Sequence, residues 1–108
     1  MRDEIPPGTL DLLILRTLDR QGYLHGFQIA DSIQAASEDV LRVEEGSLYP
    51  ALQRMLIKGW IQGEWGKTPE NRRARYYRLT RDGRRKLQIE LTRYERVSAA
   101  IGRVLQPA

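Results

Sequence analysis

The chain has 108 residues, 41% of them hydrophobic and 30% charged, with a net charge of +4 and no cysteine. That length suits a single folded domain burying roughly 65% of its unfolded surface, and the composition favours a folded soluble domain over disorder and excludes a disulfide-held scaffold. The lack of thiols removes thiolate nucleophiles and cysteine metal sites and fits a reducing cytoplasm. The longest apolar run, residues 12–15, is far short of the ~20 needed to cross a bilayer, so no membrane partner is expected. The opening MRDEIPPG is acidic and proline-rich and has no apolar stretch of signal-peptide type.

Pro6, Pro7 and Gly8 form an extended lead-in, and Thr9 is the expected N-cap of a first helix over residues 9–20. Its apolar residues Leu10, Leu13, Ile14 and Leu18 follow helical spacing, and Gly22 marks its end. A second helix is expected over 25–36, with Phe27, Ile29, Ala30 and Ile33 on its apolar side. A third starts near 45–47, because Pro50 is best tolerated in a first turn, where its missing N–H has no intrahelical partner. Leu48, Leu52, Met55 and Leu56 make its buried stripe, and Gly59 ends it.

Two strand-like runs follow, at 60–65 and 75–80, joined by a Gly-, Pro- and Asn-containing loop over 66–74. Alternation puts Tyr77 and Leu79 on one face and Tyr76, Arg78 and Thr80 on the other. Trp60 and Trp65 fall in these strands, where packing is the expected role. Thr80 caps a last helix over 81–104. In it Leu87, Leu91, Tyr94, Ser98, Ile101 and Leu105 form a heptad-like seam, shifted slightly by Val97 and Val104. At 1.5 Å per residue this helix is about 36 Å long and overhangs a compact body. Its far stripe needs a cover, most simply a second copy of the chain; folding back onto the first helix is the alternative.

Nothing in the chain converges for catalysis. The only histidine, His25, stands at a helix start, and the adjacent carboxylate pairs (Asp3 and Glu4, Glu38 and Asp39, Glu44 and Glu45) diverge on any helix. There is no glycine-rich phosphate loop. No catalytic residue, metal or cofactor is therefore expected.

The charge is unevenly spread. Residues 66–86 hold nine basic and two acidic side chains, a surplus of seven positive charges, which leaves the remainder of the chain at −3. A short helix followed by an arginine-rich hairpin is the order that a winged helix-turn-helix DNA reader requires. Ser47 and Arg54 suit phosphates or base edges, Tyr49 offers a hydroxyl, and the Pro50 ring can meet a thymine methyl. The alternative for Tyr49 and Pro50 is that they only set the packing and start of the helix. Lys67, Arg72, Arg73 and Arg75 suit phosphates, with one of them entering a narrow A·T minor groove. Arg84, Arg85 and Lys86 read mainly as solvated helix charges.

The segments GTLDLLIL at 8–15, YLHGFQIA at 23–30, EEGSLYPALQRM at 44–55 and NRRARYYRLT at 71–80 together resemble the PadR family of bacterial transcriptional regulators, in the short form with one C-terminal helix. The resemblance implies a mostly α fold with a small β hairpin: a winged helix-turn-helix over 1–80 and a dimerisation helix over 81–108. It implies Ser47, Tyr49, Pro50 and Arg54 at the major groove and Arg73, Arg75 and Tyr76 in or beside the wing. It also implies a homodimer, usually a repressor on a pseudo-palindromic operator, held by the last helix packing with helix one. The interface residues would be Leu10, Leu13, Leu87, Leu91, Tyr94, Val97, Ile101 and Leu105. Some short members bind aromatic or drug-like effectors at that interface, so a small-molecule effector is a further expected partner. A protein-docking module without sequence-specific DNA binding is the rival reading of the same fold.

Overall fold

The computed structural model describes residues 3–6 and 8–107; Pro7, part of the expected lead-in, lies outside them. The elements run β1 (Asp3–Glu4), α1 (Leu10–Gln21), β2 (Leu24–His25), α2 (Gly26–Ala36), β3 (Leu41–Arg42), α3 (Glu45–Ile57), β4 (Ile61–Lys67), β5 (Arg73–Leu79) and α4 (Arg81–Leu105). β4 and β5 form an antiparallel hairpin, and β2 adds to the far edge of β5, giving the order β2-β5-β4. β1 and β3 make a two-residue parallel pair. This is the winged helix-turn-helix expected from the sequence, with the long last helix.

The core lies where α1, α2, α3 and the base of the hairpin meet. Ile14, Leu15 and Leu18 of α1, Ile29 of α2, Leu48, Leu52 and Met55 of α3, and Ile61 of β4 are almost fully buried there. Helical spacing delivers these residues to one side of each helix. α2 starts in a capping box: His25 Nδ1 accepts from the Gln28 amide at 3.4 Å, and Gln28 Oε1 accepts from the His25 amide at 3.0 Å. The one histidine of the chain is thus a cap. Thr9 occupies the N-cap of α1, but its hydroxyl makes no cap and donates instead to the Pro6 carbonyl.

Four expectations need correction. α3 begins at Glu45, so Pro50 is its sixth residue and stands in the second turn, not the first. The position tolerates proline because the carbonyl it deprives belongs to Gly46, which is exposed and open to solvent. Phe27, expected inward, is 59% exposed, and Trp65, expected to pack, is 58% exposed. Leu87, assigned to a dimer interface, is 1% exposed within its own chain and belongs to its core. The start of α4 packs on α1, and Leu91, Leu10 and Leu13 are half-buried against the same core. The seam is therefore divided: its proximal part is covered within the chain, and its distal part, from Tyr94 onward, is exposed.

α4 is fixed to the wing by Thr80. Its hydroxyl accepts from the Gly83 amide at 3.0 Å and donates to the Gly59 carbonyl at 2.6 Å, while its own amide donates to the Trp60 carbonyl at 3.0 Å. One side chain thereby caps α4 and ties it to the turn that ends α3. Thr80→Val is expected to cost about 1–2 kcal/mol in urea unfolding and Thr80→Ser to restore most of it. Equal stability of the valine variant and the parent would remove Thr80 from this role.

Candidate nucleic-acid interface

The strand register decides which wing residues share a face with α3. Ile61 pairs with Leu79, Gly63 with Tyr77, Trp65 with Arg75 and Lys67 with Arg73. Ile61, Tyr77 and Leu79 are buried against the body, so this is the inner face. Followed outward past the edge of the core, the same face carries Arg75, Trp65, Arg73 and Lys67. Tyr77 joins it to α3: burial, first, and the neighbouring Tyr49 push its phenol above the ordinary range, with the Arg75 charge opposing.

The outer face carries Gln62, Glu64, Tyr76 and Arg78. Tyr76 stacks on Tyr23 with ring centroids 4.9 Å apart, meets the edge of His25 at 5.3 Å, and donates its hydroxyl to the Lys67 carbonyl at 3.2 Å. Slight desolvation and the Glu64 carboxylate raise the Tyr23 phenol from its ordinary value, which puts Glu64 on that side too. Tyr76, expected at the DNA, faces away from α3 and braces the wing from behind. The wing is electrostatically sorted. Its inner face holds three cations, and the one acidic residue of its strands is behind them.

The strands reach further than composition implied, and the tip is only 68–72. Thr68 closes it. Its amide donates to the Arg72 carbonyl at 2.8 Å, its carbonyl accepts from the Asn71 amide at 2.9 Å, and its hydroxyl accepts from the Arg72 amide at 3.2 Å. Asn71 takes the left-handed backbone (φ 64°) that this turn requires. Lys67, Arg72 and Arg73 are exposed. Arg75 lies flat across β4, where a Cβ on Gly63 would come within 2.5 Å of its Nε. That Nε is buried without a hydrogen-bond acceptor. Among the described residues no carboxylate pairs with any of these four cations.

On α3 the exposed side presents Ser47, Tyr49, Pro50, Gln53 and Arg54. Tyr49 is shared between packing and surface. It covers the start of α2, where a Cβ on Gly26 would meet its hydroxyl at 2.8 Å, and it is still 43% exposed. Arg54 is held by Asp11 of α1 at 2.8 Å, so any anion it meets competes with that carboxylate. Gln53 was missed as a candidate, although its place one turn beyond Tyr49 on a polar face was visible in the helical spacing. Among the described residues no group of three or more His, Asp or Glu side chains could hold a metal, and no helix is long and apolar enough to cross a membrane.

Four similarities to known proteins bear on this arrangement. Residues 14–89 match the family described as transcriptional regulator PadR-like. The fold is similar to that of a transcriptional regulator from Clostridium thermocellum, with a TM-score of 0.82 and 25% identity over 92% of this chain and 95% of that one. It is also similar to a PadR family transcription regulator from Clostridium difficile, with a TM-score of 0.77 and 27% identity over 92% of this chain and all of that one. Bacillus subtilis PadR, solved in complex with operator DNA, shares the fold at a TM-score of 0.68 and 24% identity, over 80% of this chain and 48% of that one. With the family pattern spanning most of the helices and the whole wing, the chain belongs to the PadR-like family of transcriptional regulators.

Proposed function

We propose that the chain acts in the cytoplasm as a homodimeric, sequence-specific DNA-binding repressor. Residues 1–80 form the reading unit, and 81–108 form the dimerisation helix. The observation that carries this reading is the pairing of an exposed polar side of α3 with the basic inner face of the hairpin, which has no acidic partner among the described residues. α3 enters the major groove, where Ser47 and Gln53 meet base edges; glutamine suits the paired donor and acceptor of adenine. Lys67, Arg72 and Arg75 follow the flanking backbone, and Arg73 stands beside them on the wing. Two copies engage half-sites about 34 Å apart, one turn of DNA. Repression by occupancy needs only these surfaces, and the operator complex of Bacillus subtilis PadR gives the fold a precedent for holding DNA.

The test is titration of the protein against DNA upstream of its own gene, beside a scrambled duplex, at 50 and 200 mM salt. Neutralising about six to ten phosphates should lower affinity by about 10³ to 10⁵ between the two salt concentrations. Gln53→Ala should weaken the upstream duplex about tenfold and leave the scrambled one unchanged. Equal and weak binding of both duplexes by the parent protein would sink sequence reading and favour a docking module.

A further inference from the structure

Trp65 has no packing role that explains it. It is a large apolar ring on an overhanging strand, 58% exposed, on the inner face of the wing. It stands opposite Arg75 and diagonal to Arg73, and the Arg73 guanidinium carbon lies 4.4 Å from its ring centroid. Lys67 is directly across from Arg73. Like charges in that relation repel, and a free arginine would swing into solvent. The indole face offers the guanidinium an attractive surface in place of a carboxylate.

We propose that Trp65 is a positioning residue, which holds Arg73 ready to enter an A·T-rich minor groove flanking the site read by α3; this rests on the DNA-binding reading above. A guanidinium stacked on a ring satisfies its flat face and leaves its in-plane N–H donors unspent. A carboxylate partner would occupy those donors and cancel the charge. The stack also removes side-chain freedom before DNA arrives, so less is lost on binding. A phosphate contact tolerates many approaches, whereas a narrow groove admits a guanidinium in few, and A·T tracts offer the narrow groove with the strongest negative potential. The other wing cations lack this preparation. Arg75 lies low against Gly63 with its Nε buried, and Lys67 and Arg72 have no ring beneath them among the described contacts.

Selection from a randomised duplex library tests the assignment. Parent protein, Trp65→Ala, Trp65→Phe and Arg73→Ala are each used, with folding checked by circular dichroism. The parent should enrich a core sequence with A·T-rich flanks. Trp65→Ala and Arg73→Ala should enrich the same core with the flank preference gone, and Trp65→Phe should retain it. On the parent's selected duplex Trp65→Ala should bind about three- to fivefold more weakly. Arg73→Ala should cost about tenfold in the parent but only about two- to threefold once Trp65 is alanine. Unchanged flanks with Trp65→Ala, or additive losses in the double variant, would overturn the assignment while leaving sequence-specific binding intact. Failure of the parent to enrich any core would overturn both.

Discussion

Gly83→Ala is expected to destabilise the protein by about 3 kcal/mol, lowering its melting temperature by roughly 12 °C or more. Gly83 is buried in the first turn of α4, against the end of α3. A Cβ there would lie 1.9 Å from the Trp60 carbonyl oxygen and 2.9 Å from its carbon. That neighbour is backbone and has no rotamer into which to escape. The same oxygen accepts the Thr80 amide at 3.0 Å, so withdrawing it breaks the bond that seats α4 on the wing. Either α4 lifts by more than an ångström or the turn at 58–60 gives way. Both loosen Leu87 and the nearby Trp60, whose ring also lies beneath the Lys58 and Lys86 ammonium groups at 5.0 and 4.8 Å.

The same substitution further along α4 should act in the opposite sense. Gly102 has no atom within 4 Å of a Cβ position and is exposed, so Gly102→Ala should gain up to about 1 kcal/mol from helix propensity. Thermal melts at several protein concentrations separate these effects from a change in assembly. A Gly83→Ala protein melting with the parent would show that the α4–wing junction yields without cost.

The contrast between Gly83 and Gly102 illustrates what the sequence made legible. All four helices followed from apolar spacing, since that signal is local. The two-residue strands β1, β2 and β3 gave no sign, because so short a segment has no period to read. Missing β2 had a consequence for the site. Alternation separated Tyr76 from Tyr77 correctly, but only the pairing of Leu24 and His25 with β5 shows that the Tyr76 side is covered by Tyr23 and turned from α3. Trp65 and Leu87 failed in opposite ways for one reason. Periodicity names the inward side of an element but not how far the body beneath it extends. The hairpin outruns its body, which exposes Trp65, whereas the first turns of α4 still lie over α1, which buries Leu87. Composition also set the loop at 66–74 too wide. Gly66 and Ala74 pair in register, and the strands continue to Lys67 and Arg73.

Val97→Glu combined with Ile101→Glu is expected to convert the proposed dimer into a monomer of 12.5 kDa and to weaken binding to a two-half-site operator by about 10²- to 10⁴-fold. The exposure of α4 motivates this. Val97 is 44% exposed, Ile101 53%, Val104 83% and Leu105 76%. These residues and Tyr94 recur on one stripe of a helix that runs beyond the body it starts on. A contiguous apolar stripe of this kind is rarely left in water by a monomer. A second copy is its natural cover, because a two-fold axis lets one stripe answer another. Two glutamates bring four buried carboxylates to such an interface with no basic partner on the seam, and desolvation alone would prevent it from forming. The loss on DNA follows from linkage. A dimer binds its second half-site intramolecularly, and a monomer loses that advantage, typically 10²- to 10⁴-fold. Sedimentation equilibrium measures the first effect and titration of the selected operator the second. Because both substituted positions are exposed in the single chain, its own fold should survive, with circular dichroism and core burial unchanged. A variant that remains dimeric would assign the interface elsewhere. A parent that sediments as a monomer at every concentration would leave each half-site to be read alone.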